Sequence, residues 1–182
     1  MSTTESRCLE SFPIWLRSLG DDARALSALL ETTESQSVIS AIAVALTYLF
    51  KSVDLIPDGL EDLGYMDDAF VVRVACTRIA ETERGAEGHA ILQRLVEEAS
   101  LVEEFLGDDY AALERYVDGL TSASARGRSV AEVIDNAEAR SGLSRDVREW
   151  SSTYGTPGFG RDAKNLVKLR SFLHTKLHAA SA

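Results

Sequence analysis

Proline is scarce in this chain, with residues only at positions 13, 57 and 157, and cysteine is scarcer still, with Cys8 and Cys76 alone. So few prolines, in a sequence rich in Ala and Leu and short of β-branched runs, favour helix over sheet. Two cysteines in no paired motif exclude a disulfide scaffold and suit a reducing compartment. Cys76 falls in an apolar run and reads as a small core residue. A spanning helix needs ~20 apolar residues. The longest uncharged apolar stretch, residues 38–50, falls short of that. Residues 1–11 are polar and carry Glu5 and Glu10, unlike a secretory leader, so the expected location is cytoplasmic.

Positive charge is also in short supply. There are 29 acids against 19 bases, a formal net charge of -10 over 182 residues. Capture of a phosphate backbone needs clustered bases, so nucleic acid is an improbable partner. The bases that exist are unevenly placed. Residues 161–182 hold Arg161, Lys164, Lys168, Arg170 and Lys176 against the single acid Asp162. Leu166, Leu169, Leu173 and Leu177 recur there at helical spacing, which makes a basic amphipathic helix. Its Lys164, Lys168, Arg170, Phe172 and Lys176 are candidates for a partner or membrane surface. Packing on the acidic body is the plainer reading.

What is present is helical periodicity. Residues 1–10 read as a tail, with Ser11 before Phe12-Pro13 as a helix start. Gly20-Asp21-Asp22 reads as a break. Thr33 and Gln36 form a capping-box pattern ahead of Ile39, Ile42, Leu46 and Leu49. Met66-Asp67-Asp68 opens a second helix, apolar nearly all round through Ile79, which implies burial. Residues 83–88 read as a turn. Further helices follow through Phe105, Leu120 and Ala137, with Gly142 as a stop. The expected fold is all-α, a compact bundle of about seven or eight helices around a central helical hairpin. Residues 1–120 form a helical domain and 121–128 a linker. Residues 129–182 form a C-terminal helical segment packed on the first part.

The hairpin concentrates the chemistry. Residues 48–70 hold six acids (Asp54, Asp58, Glu61, Asp62, Asp67, Asp68) and one base, Lys51. With Tyr48 and Gly64, the turn Asp54-x-Ile56-Pro57-Asp58 and the pair Asp67-Asp68 resemble the YkvA-like family (domain of unknown function 1232). The resemblance covers residues 38–79. It implies an apolar hairpin closed by an Asp-x-Ile-Pro-Asp turn, and it implies no activity. Members usually carry Ser-Pro where this chain has Lys51-Ser52. Many look membrane-associated through the hairpin, which the added acids here oppose.

Asp54, Asp58, Asp67 and Asp68 admit three readings. They cap helix ends and turns locally, or they converge on a divalent cation, or act as a coupled acid–base pair. Local capping is the simpler. His174 and His178 stand one helical turn apart, a zinc-compatible spacing, but no third ligand is evident nearby and the metalloprotease glutamate is absent. The loop 155–160 lacks the ending of a phosphate loop. No catalytic constellation emerges and no small-molecule substrate is indicated. The sequence therefore reads as a non-catalytic bacterial accessory or adaptor protein acting through protein–protein contacts or self-association. No cofactor is expected unless the hairpin aspartates hold a divalent cation. A cation-dependent enzyme and a peripheral membrane protein are the alternatives.

Overall fold

The computed structural model describes residues 2–52, 54–79 and 90–180. The turn read at residues 83–88 lies outside them. Among the described residues the chain is all-α apart from one two-residue ladder, and no helix is long and apolar enough to cross a membrane.

Helix α1 runs from Thr3 to Thr32. The supposed tail is its first two turns, because Ser2 and Glu5 make a reciprocal capping box. Cys8 and Leu9 extend the buried stripe of Phe12, Leu16 and Leu19. Gly20 does not break the helix. It admits the ring of Tyr154, whose Cδ1 would lie 3.1 Å from a Cβ at that position. The Tyr154 hydroxyl donates to the Leu16 carbonyl at 2.8 Å.

Helix α2 spans Gln36–Tyr48 and α3 spans Met66–Cys76. Ser35 rather than Thr33 caps α2, accepting from Val38 N–H at 3.2 Å. Every residue of α3 is buried, as its all-round apolarity predicts. The two pack on each other as the central pair. Helix α4 (Ala90–Leu106) leads through a 3-10 turn, Gly107–Asp109, into α5 (Tyr110–Gly119). A second 3-10 turn, Leu120–Ser122, precedes the ladder in which Ser124 faces Ser129 and Ala125 faces Arg128. The stretch read as a linker thus carries ordered turns around Arg126 and Gly127, both at positive φ.

Helix α6 (Val130–Asp135) opens on the Ser129–Glu132 capping box. The chain then breaks at Asn136, which caps α7 (Ala137–Thr153), and runs straight through Gly142. Helix α8 spans Ala163–Ala180. Its Leu166, Leu169, Leu173 and Leu177 are at most 1% exposed and join the same core as α1–α5. Burying each is worth roughly 1.5–3 kcal/mol, which holds α8 on the body. Phe12 sits at the junction, with ring centroids 5.2 Å from both Phe70 and Phe105 and 5.9 Å from Phe159.

Candidate functional site: carboxylates at the hairpin corner

Between α2 and α3 the chain makes a corner of successive turns. Leu60 N–H bonds to Pro57 O at 2.9 Å, and Gly64 N–H to Leu60 O at 2.8 Å. Pro57 fixes one φ and biases Ile56 out of the helical region. Gly64 is required for close approach, since a Cβ there would lie 2.0 Å from the Asp58 carbonyl oxygen. Asp62 and Tyr65 take left-handed φ of 65° and 63°. Tyr65 is the N-cap residue of α3 and makes no side-chain cap bond. Its side chain is used elsewhere.

This corner brings together all four aspartates singled out from the sequence. Asp67 and Asp68, in the first turn of α3, are 0% and 2% exposed; Asp54 is half-buried and Asp58 lies at the rim. The positive end of the helix macrodipole favours acids in that turn. Asp67 acts as a cross-hairpin fastener. Its Oδ2 accepts from the Tyr48 hydroxyl at 2.6 Å and from Ile56 N–H at 2.9 Å. The same Tyr48 oxygen accepts Leu55 N–H at 2.9 Å. Tyr48, Ile56, Pro57 and Gly64 therefore shape the corner, and Asp67 ties it shut.

Fastening does not account for the rest. Among the described residues, Asp54 Oδ1, Asp67 Oδ1 and Asp68 Oδ2 are buried without a hydrogen-bond partner. Burial raises the Asp68 carboxyl well above the usual carboxylate range, and the charges of Asp67, Asp58 and Asp54 add to the rise. Burial lifts Asp67 to about 6, opposed by its bonds from Tyr48 and Ile56. Burial and the neighbouring Asp67 lift Asp54 to about 7, with Lys51 opposing. Partial burial raises Asp58 as well, against a hydrogen bond from Tyr65. Buried carboxylates so close together cannot all stay ionised without a compensating cation.

Aromatic residues from distant helices cover the corner. Tyr116 of α5 meets the Tyr48 ring edge-on at 6.1 Å. It also lines a cleft of about 340 Å³ with Lys51, Arg115 and Leu120. From α7 and the loop after it, Trp150 and Tyr154 pack around Tyr65, with centroids 6.2 and 5.4 Å away. These contacts were not foreseen, because they join residues 50 to 90 positions apart whose local patterns mark only core.

Residues 38–73 match the family described as protein of unknown function (DUF1232). That match contains the corner and stops within α3. It agrees with the resemblance carried by Tyr48, Asp54, Ile56, Pro57, Asp58, Gly64, Asp67 and Asp68. No curated protein and no solved structure matches the chain.

Sequence reading also passed over Arg73. It is 0% exposed in the last turn of α3. Its guanidinium lies 4.0 Å over the Trp15 ring, bonds Glu98 through Nε at 2.9 Å and donates to Ala69 O at 2.8 Å. Glu98 in turn meets Arg94, which reaches Asp22 at 2.5 Å. A lone charge in an apolar run was the signal, since such a charge demands a buried partner.

The candidate surface on α8 is partly engaged. Arg170 bonds the Phe105 carbonyl at 3.0 Å and lies over its ring. Lys168 reaches the Glu61 carbonyl at 3.4 Å. Lys176 lies 5.6 Å from the Phe172 ring centroid, and Lys164 is exposed. The hairpin aspartates are not the residues that draw metal-ligand atoms tightly together. Among the described residues the one trio of such atoms within 4.8 Å of one another is Asp109, His174 and His178.

Proposed function

We propose that this is a non-catalytic helical accessory protein whose hairpin corner is a proton-responsive latch. The observation that carries the reading is the set of buried, unpartnered carboxylate oxygens on Asp54, Asp67 and Asp68. A group needed only to cap a helix has its oxygens satisfied by the backbone. Oxygens left over in a buried acidic cluster hold a proton or another cation instead. With Asp67 at about 6 and Asp54 at about 7, the cluster titrates next to neutrality. Its charge thus sets how firmly α2 and α3 are joined, and through Tyr116, Trp150 and Tyr154 how α5 and α7 sit on them. Action through contacts with another protein fits such an element, because the latch changes packing rather than a substrate.

A divalent cation at the same aspartates is the second reading. It is favoured by their graded exposure, from Asp58 at the rim to Asp68 inside. One experiment separates the two: thermal unfolding of the full chain from pH 4.5 to 8.5, with and without excess magnesium or calcium. The latch predicts a melting temperature that falls as pH rises through the range of about 6 to 7. A cation site predicts that the ion restores most of that loss at pH 8. A melting temperature flat across this range rejects the latch.

A further inference from the structure

Three ligand atoms from separate stretches meet where α8 crosses the corner between α4 and α5. Asp109 closes the 3-10 turn Gly107–Asp109 just before α5. His174 and His178 lie one turn apart on α8. His174 Nδ1 is 3.0 Å from both Asp109 carboxylate oxygens, and His178 Nε2 is 3.0 Å from Oδ1. The two imidazole centroids are 4.5 Å apart. We infer that Asp109, His174 and His178 form a site for a divalent transition metal, zinc foremost, that staples α8 to the α4–α5 corner.

The donor set selects the ion. Two imidazole nitrogens and one carboxylate suit zinc, whereas magnesium and calcium prefer all-oxygen shells. The geometry lies close to what zinc needs. With Zn–N and Zn–O near 2.0–2.1 Å, tetrahedral donors sit about 3.3 Å apart. The two N···O separations of 3.0 Å therefore need only a few tenths of an ångström of spreading, and the two ring nitrogens lie within 4.8 Å of each other. The carboxylate is anchored, with 15% of its side chain exposed, while the imidazoles are 61% and 54% exposed. The protein thus supplies three ligands on one side and leaves the solvent side open for water, as in three-ligand zinc sites.

The test uses the full chain without a histidine tag. Zinc is titrated calorimetrically, and cobalt(II) serves as a spectroscopic stand-in for ligand number. The expected result is one zinc per chain with micromolar or tighter affinity, and visible cobalt absorption of a low-coordinate site. Zinc at a hundredfold excess over Kd should raise the melting temperature by roughly 5–10 °C. His174→Ala and His178→Ala should each weaken binding by about tenfold or more. Both histidines are exposed, so metal-free melting of these variants should match the parent. No zinc retained by the parent protein overturns the proposal without any variant. Equal zinc affinity in the His174→Ala, His178→Ala double variant also overturns it.

Discussion

Neutralising one buried acid should stabilise this protein, and only above the pH at which that acid would lose its proton in the unfolded chain. The substitution is Asp68→Asn, which keeps the shape and one oxygen while removing the charge. A carboxyl raised on folding retains its proton in the native state at pH values where the unfolded chain has released it. Stability from such a group is complete below about pH 4 and is lost as pH rises through the folded value. Asp67 sets a scale: displaced from 3.8 to about 6, it corresponds to about 3 kcal/mol at 1.36 kcal/mol per unit. Asp68 is buried and moves in the same direction with three acidic neighbours behind it. Against this gain stands an asparagine N–H₂ facing the position of Oδ2, an unsatisfied donor costing about 1–3 kcal/mol. The net expectation is a gain of up to roughly 2 kcal/mol at pH 8, or up to about 8 °C in melting temperature for a chain of this size. At pH 4.5 the gain should vanish or reverse. Calorimetric melting of parent and variant at both pH values measures the difference. The general repulsion from a net charge of -10 largely cancels between the two. A variant less stable than the parent at pH 8, or a difference that does not change with pH, would refute the argument.

Gly64→Ala should cost roughly 3 kcal/mol or abolish folding, because its Cβ would lie 2.0 Å from a backbone carbonyl oxygen that cannot yield. Gly20→Ala is the control at under about 1 kcal/mol, since it meets only the Tyr154 ring. Urea midpoints of the pair test this, and equal losses would contradict the corner geometry. Tyr48→Phe strips a donor from Asp67 and leaves Leu55 N–H unpaired, for a loss of about 1–3 kcal/mol. That donor favours the ionised acid, so its removal should also steepen the fall of stability between pH 5 and 8, read from urea midpoints at each pH. An unchanged slope would detach Tyr48 from the titration.

The hairpin was legible because its signals are local. Apolar runs mark α2 and α3, Pro57 and Gly64 mark the turn, and the acid pair marks a helix start. Errors elsewhere also have local causes. Ser2-x-x-Glu5 is itself a capping-box pattern, but a polar stretch before Ser11 outweighed it. At the other end, Gly142 looked like a stop, although Asn136 caps a helix better than glycine ends one when core residues such as Leu143 and Val147 follow. What stayed hidden depends on long-range packing. Asp109 lies 65 residues before His174, and no spacing rule connects them. Glu98 lies 25 residues after Arg73, and no spacing rule connects them either. Sequence also could not say that Asp67 spends one oxygen on the hairpin and leaves the other without a bond.

Helix α3 keeps its buried charges apart, and that separation bears on what the aspartates are for. Arg73 follows Asp68 by little more than one turn, yet it faces Trp15 and Glu98. Burial lowers it to about 10, so it stays protonated at neutral pH and is matched by Glu98. Among the described residues the acid pair has no such match. Lys51 eases Asp54, and the helix dipole offers at most about 2 kcal/mol. Asparagine at 67 would still accept from Tyr48 and Ile56, so the fastening needs an oxygen there and not a charge. Among the described residues the carboxyl at 68 makes no side-chain bond that fastens the corner, and it costs stability once pH passes the unfolded value. The charge is therefore a property separable from the fold. A compensating proton, taken up and released close to neutrality, is the species best suited to exploit it.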